Sequence, residues 1–423
     1  MALSDIYKKA SLVQIPSGYK SGTLYSVVPN TSAGDFIVTG DPQGKATRIN
    51  KDGLIESVAA DVPRLNYDPS NPQDPHLLLE PERTNQFTNS ENLANIDFQT
   101  NSTVTTDNII APNGSLTADK TTQTSGGYLR ETVSVSIGTT YSFSVFFKKG
   151  DLRYAVVRSL FSQNGVNPAN SNNVFDLDNG SVIYTGTDVI SASIEAYAND
   201  WYRCSFVSLA SGASSASFID FYFSSSSSGT QSSGTAGFGY GWGMQLEAGS
   251  YPTSYIPTTI AVTRAADNAQ IASGAEDIIG SQNEGTLFID LEIPYDTTSS
   301  DYFQFCISDG ATTNDRVLIN FRSQKADFQV FSGGSGVGFC DTPVTKNTRL
   351  KIAGSYKTNE FILYKNGSLA DTIDTTGVID FTTQMETLRF ADFGNGLKFQ
   401  AKVYQMMFFK EALTQDELQT LTT

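Results

Sequence analysis

The chain contains one histidine, His76, set between Pro75 and Leu77. Any Ser-His or Cys-His mechanism must use it, yet no G-x-S-x-G pattern supplies a nucleophile. A P-loop, a G-x-G-x-x-G opening a helix after a strand, and H-E-x-x-H are also missing from the sequence. Glycoside hydrolysis asks for less, only two carboxylates about 5–10 Å apart. The nearest match is Asp290 and Glu292, which alternate along Leu287-Phe288-Ile289-Asp290-Leu291-Glu292-Ile293. A third acidic residue on that strand is lacking, so the pair reads as solvated or loop-facing, and the chain reads as non-enzymatic with no catalytic residue assigned.

Binding chemistry is better represented. Oxygen ligands for a structural calcium ion occur in the loop Ser308-Asp309-Gly310-Ala311-Thr312-Thr313-Asn314-Asp315 and around Glu91, Asp119 and Glu247. Asp and Asn in turns more often bond their own backbone, so no metal site is assigned. Aromatic rings can stack on sugars: Tyr128, Tyr154, Tyr184, Tyr197 and Trp201 in the middle of the chain, and Tyr295, Tyr302 and Phe339 further on, are candidates, each with core packing as the plainer role. Cys204, Cys306 and Cys340 are odd in number and widely spaced, neither a disulfide framework nor a zinc pattern. They suit synthesis in a reducing cytoplasm.

The elements that must position these residues are strands. Among 423 residues, 35 are Gly and 11% are aromatic, while only 17% are charged, the profile of turn-rich β-sandwiches. The length suggests roughly two to four domains. A net charge of −16 is spread as 8 basic against 10 acidic residues in 1–84, 7 against 13 in 85–260 and 13 against 21 in 261–423. That balance disfavours binding to a phosphate backbone. No apolar run approaches the roughly 20 residues of a membrane helix, and the first ten residues lack the apolar stretch of a secretory signal.

Residues 141–147 alternate Tyr141, Phe143, Val145 and Phe147 with Ser142, Ser144 and Phe146, a period of two that predicts a strand with one buried face. Similar readings cover 174–177, 201–209, 218–223, 287–293, 302–308, 316–322, 327–331, 349–354, 360–365 and 399–409. Asn366-Gly367 predicts a tight hairpin, as does Asp52-Gly53 between 47–51 and 54–58. Three prolines within 68–75 predict an extended connector through which no regular strand runs. The Ser224–Ser228 run and its glycine-rich continuation to 234 predict a mobile loop. The stretch Phe238-Gly239-Tyr240-Gly241-Trp242-Gly243-Met244-Gln245-Leu246 places five large side chains on one face and glycines on the other, where a neighbouring layer or a subunit can approach closely. Thr414 and Glu417 form a capping-box pattern with Leu413 and Leu418 as its staple, predicting a short closing helix.

Three sets of motifs resemble virion proteins of tailed bacteriophages, the tail fibres, head fibres and minor structural proteins. The first runs from Ala10-Ser11-Leu12-Val13-Gln14 through Pro63-Arg64-Leu65-Asn66-Tyr67 to Leu79-Glu80-Pro81-Glu82-Arg83-Thr84-Asn85. The second joins Gln245-Leu246-Glu247-Ala248-Gly249 to Tyr251-Pro252-Thr253-Ser254-Tyr255 and Val262-Thr263-Arg264-Ala265-Ala266-Asp267, and is similar to the end of a carbohydrate-binding-module-like jelly roll. The third, 350–367 with 401–409 and the closing helix, resembles concanavalin A-like or laminin-G-like lectin domains. The resemblance implies an all-β chain: an attachment segment at 1–84 that contacts other virion proteins, a jelly roll at 85–260 and a lectin sandwich at 261–423. It further implies a homotrimer on the virion surface that recognises a host-surface glycan, or packs mainly against other virion proteins as a decoration protein. Neither nucleic acid binding nor membrane insertion is implied.

Overall fold

A computed structural model describes residues 2–41, 43–69, 71–161, 171–211, 217–231, 233–271, 275–280, 283–297, 303–310, 312–382, 384–390 and 400–423. Its regular structure is almost entirely strand, in antiparallel ladders. Among the described residues no helix is long and apolar enough to cross a membrane.

The middle of the chain forms one ten-stranded sheet that closes over its own core. Its hinge is the long strand Leu116–Val133, whose early residues 119–123 pair with Gly237–Ala248 and whose late residues 129–133 pair with Ser217–Ser224. Gly126 stands between the two halves at φ +86, a conformation that costs a residue without Cβ little. The bend brings Phe147 of one half to 5.3 Å from Phe223 of the other, ring centroid to ring centroid. Phe143, Phe206, Phe221 and Leu246 fill the space around them. Strand Thr140–Lys149 is buried on both faces, so the alternation read from the sequence separates two interiors. Tyr141, Phe143, Val145 and Phe147 line the sandwich core, while Phe146 joins a second cluster with Trp201, Trp242 and Tyr255.

The remaining strands build a second sandwich, to which strands of the 1–84 segment contribute. Strand Ala10–Gln14 pairs with Ala401–Phe409, and Asn71–Leu79 pairs with the other end of that strand. Phe36–Thr39 pairs with Asn268–Ile271 in the opposite sheet. Phe36, Val38, Leu77 and Leu79 share one core with Leu287, Ile289, Phe305, Phe328 and Phe390. Residues 1–84 therefore complete both sheets of the C-terminal sandwich, and the middle sandwich is an excursion between its halves. Burial of this apolar face, at about 25 cal/mol per Å², favours the segment's place in the sandwich.

The proline-rich stretch is also a strand. Asn66 pairs with His76 and Asp68 with Asn71, leaving residues 72–75 as a bulge opposite Tyr67. Pro72 and Pro75 lie outside the run 77–79 that pairs with the neighbouring strand, so no ladder bond requires their missing N–H. Asn366 and Gly367, at φ +46 and +77, make the expected tight hairpin. Asn50 and Gly53 close a longer, five-residue loop between Thr47–Ile49 and Ile55–Ser57. The final helix, Gln415–Thr422, carries the capping box at Thr414 and Glu417 and buries Leu413 and Leu418.

Candidate functional site

The two sandwiches meet across the second face of Thr140–Lys149. Gly243 sits at φ +67 in a β-bulge, where Trp242 pairs with Phe146 but Gln245 pairs with Ser144. The extra residue reverses the alternation. Trp242 packs at the junction, whereas Met244 and Leu246 enter the sandwich core, so the large residues of this strand do not share one face. The glycines are covered within the chain: a Cβ on Gly239 would lie 2.4 Å from the Phe223 ring, and one on Gly241 would lie 2.7 Å from Leu93. That glycine face is a packing surface, not a contact between subunits.

Beyond the bulge, Gln245 and Glu247 bind the segment that follows. Gln245 accepts from the Ile256 N–H at 2.7 Å, and Glu247 accepts from the Thr253 N–H at 2.9 Å. Tyr295 of the second sandwich donates to the Pro252 carbonyl at 3.2 Å and stacks on Tyr251 with centroids 4.4 Å apart. Thr47 donates to the Tyr255 carbonyl. These contacts enclose a cavity of about 270 Å³ between the sandwiches, lined by Tyr197, Arg203, Ser205, Tyr295, His76 and Lys402 among others.

Four charged residues from the first two motif sets, far apart in sequence, converge beside it, with Glu80 among its lining residues. Arg64 bonds Glu80 at 2.6 Å and Asp267, while Arg264 reaches Glu80 at 2.9 Å. Arg64, Glu80 and Arg264 are at most 1% exposed. Ser254 adds an N–H and a hydroxyl to Glu80 at 2.8 and 2.6 Å. Burial would raise the Glu80 pKa, but Arg264, Arg64 and the Ser254 bonds outweigh it and hold it at about 2. Burial likewise works against the Arg64 charge, and Asp267 and Glu80 more than offset it, raising its pKa. Spacing within one segment gives no signal for this network, because each partner lies in a different stretch.

Arg203 is different. It is 7% exposed, donates through Nη2 to the Ser144 hydroxyl at 2.9 Å and lies 5.6 Å from the Phe146 ring centroid. Its Nε has no acceptor, and among the described residues no carboxylate forms an ion pair with it. Burial disfavours its charge, yet the fields of Tyr197, Glu195, Glu247 and Tyr295 raise its pKa and keep it cationic.

His76 is fully buried, with Nε2 3.1 Å from the Asn66 amide nitrogen. Burial first, and then Lys402, lowers its pKa to about 3, so the ring is neutral at ordinary pH. Asp290, expected to be solvated or loop-facing, is 3% exposed and held by Arg349 through two bonds of 2.8 and 2.9 Å. Glu292 pairs with Lys402 at 2.9 Å. Each acid of that pair is thus committed to a cation.

The oxygen-rich loops bond their own surroundings. Asp119 accepts from the Leu93 and Asp107 N–H groups, Glu91 from Tyr255, and Asp315 from Gly333 and Thr382. Among the described residues no group of three or more His, Cys, Asp or Glu is arranged to hold a metal ion. Ala311 of the 308–315 loop lies outside the described residues.

The aromatic candidates separate into distinct places. Tyr197 and Tyr295 line the cavity, and Trp201 is buried beside Trp242, its indole N–H bonded to the Ile110 carbonyl at 3.1 Å. Tyr128, Tyr154 and Tyr184 gather around Val156, Val174 and Tyr222 on another face of the middle sheet. The serine-glycine loop, expected to be mobile, is tied over that face. Tyr222 donates to the Gln231 carbonyl at 2.9 Å and Asn172 to the Gly229 carbonyl at 2.8 Å. Phe339 is 49% exposed, and Tyr302 lies outside the described residues.

No family model and no curated protein matches the sequence. Among solved structures, the chain is similar to the CBM40 of a Ruminococcus gnavus IT-sialidase bound to alpha2,3 sialyllactose, at 18% identity over 33% of this chain and 83% of that one, with a TM-score of 0.28. It is also similar to the NanB sialidase of Streptococcus pneumoniae, as its K499G mutant, at 13% identity over 37% of this chain and 26% of that one, TM-score 0.31. The botulinum neurotoxin serotype D binding domain gives 11% identity over 37% of this chain and 39% of that one, TM-score 0.30. Each likeness concerns strand arrangement over part of the chain, and no residue role follows from it.

Proposed function

We propose that the chain is a non-catalytic, glycan-binding surface protein of a tailed-phage particle, a tail or head fibre, and that the junction cavity holds the sugar. The cavity carries this reading. Its volume of about 270 Å³ is near the lower end of small-ligand sites, roughly 300–1,000 Å³. Its lining combines what sugar recognition needs, the rings of Tyr197 and Tyr295 beside a buried donor, Arg203. Asp290 and Glu292, the acids that resembled a hydrolytic pair, are occupied by Arg349 and Lys402, which supports binding without turnover. The virion setting rests on the motif resemblance, and the homotrimer goes with it.

The test uses the full-length protein, fluorescently labelled, on candidate host cells and on a glycan array, with soluble surface polysaccharide as competitor. Saturable binding that is competed by polysaccharide and weakened by Tyr295→Ala supports the reading. Absence of glycan and cell binding by a folded protein that still incorporates into particles would replace it with a decoration protein that binds other virion proteins. Release of reducing ends from a bound polysaccharide would make it an enzyme.

A further inference from the structure

The cavity's charge pattern specifies its ligand more closely, an argument that rests on the sugar-binding reading above. In three places this protein presents the Nε and Nη2 edge of an arginine to both oxygens of an aspartate. Arg130 holds Asp220 at 2.6 and 2.8 Å, Arg153 holds Asp176 at 2.8 and 2.6 Å, and Arg349 holds Asp290 at 2.8 and 2.9 Å. The fork of two parallel N–H groups matches a carboxylate in spacing and charge. Arg203 lines the cavity as a residue: Nη2 spends one donor on Ser144, Nε is buried without an acceptor, and among the described residues no carboxylate pairs with the guanidinium. A guanidinium taken out of water without a counter-charge is costly, and a ligand carboxylate at its cavity side would supply that charge.

We infer that the junction cavity selects a carboxylated sugar, with the Arg203 guanidinium receiving the carboxylate and the Tyr197 and Tyr295 rings flanking the ring of the sugar. Glu195, directly across the ladder from Arg203, is exposed and makes no ion pair with it. Its negative charge opposes an acidic ligand and sets part of the selectivity. Arg48, which also lines the cavity, is paired with Glu56, and Lys402 with Glu292 and Asp68, so among the described lining residues the cation left for a ligand is Arg203.

The experiment presents the full-length protein with an array of neutral, carboxylated, sulfated and phosphorylated glycans. The strongest carboxylated hit is then titrated before and after chemical reduction of its carboxyl to an alcohol. Binding confined to carboxylated glycans, and at least about tenfold weaker after reduction, is the expected result. Arg203→Lys keeps the charge but not the fork and is expected to lose about tenfold, while Glu195→Gln is expected to tighten binding severalfold at low salt. Equal binding of native and reduced glycan, or preference for neutral, sulfated or phosphorylated glycans, overturns this inference and leaves the sugar-binding reading standing. Binding to no glycan overturns both. Because the reduction arm uses the wild-type chain, it decides the matter even where a variant fails to fold.

Discussion

Two arginine environments lie at the junction, and they differ in what surrounds a buried charge. Arg64 meets Glu80 and Asp267, with Arg264 completing a compact alternation of signs. Arg203, 7% exposed, meets a serine, an aromatic face and a cavity. Ion pairing in the first case recovers the loss of hydration, so the network ties segments 64–80 and 264–267 into a fixed junction. In the second case the loss is left partly unrecovered. A fold keeps such a group where something other than the fold supplies its partner, and the comparison therefore separates the residues that hold the junction from the residue that uses it.

The same substitution at both places sharpens that separation most. Arg64→Met strands Asp267 and part of Glu80 without a cation, and is expected to destabilise the protein by about 3–5 kcal/mol in urea unfolding. Arg203→Met removes a buried charge that has no ion-pair partner in the described chain, and is expected to change stability by less than about 1 kcal/mol or to raise it. Similar losses for the two variants would mean that Arg203 is a structural residue and would break the comparison.

A second test uses pH. His76 has a folded pKa of about 3 against a usual 6.5, so between those values the unfolded chain takes up a proton that the folded chain refuses. The contribution is fully present above about pH 6.5 and is lost as pH falls toward 3, at about 1.4 kcal/mol per pH unit. His76→Gln keeps an acceptor for Asn66 but cannot titrate, and its stability curve is expected to be flatter than wild type by about one proton across that window. Glu80 acts lower: its stabilisation is present above its usual 4.5 and is lost as pH falls toward about 2. Parallel curves for wild type and His76→Gln would show that the ring is not buried neutral in the junction.

Local sequence carries local structure here and little else. The period-two strands, the Asn366-Gly367 hairpin and the Thr414 capping box are written within a few residues and reappear in the fold. The pairing of Ala10–Gln14 with Ala401–Phe409 is not, because an apolar strand face does not name a partner almost four hundred residues away. The same limit hid the Arg64–Glu80–Asp267–Arg264 network, whose members were visible only as separate motif residues. Tyr197 and Tyr295 could be nominated as rings but not told apart from Tyr128, Tyr154 and Tyr184, since exposure to a cavity is a property of two sandwiches together. Arg203 was missed for the same reason: a single arginine in a strand has no signature until its neighbours fail to pair with it. The bulge at Gly243 had a signal in its glycine, which alternation alone overrode.

The smallest expected effect on glycan binding concerns the tyrosine face, which competes with the cavity as a place for sugars. Gly229 lies over the Tyr184 ring so closely that an added Cβ would sit 2.4 Å from it. Gly229→Ala must therefore lift the loop or turn the ring, at a cost of about 1–3 kcal/mol, and so uncover Tyr184 and its neighbours Tyr154 and Tyr222. If the junction is the site, the variant unfolds slightly earlier and binds glycan with unchanged affinity. Tighter binding on exposing those rings, together with indifference to Tyr295→Ala, would move the site to the tyrosine face, and the lack of a carboxylate partner for Arg203 among the described residues would then need a different explanation.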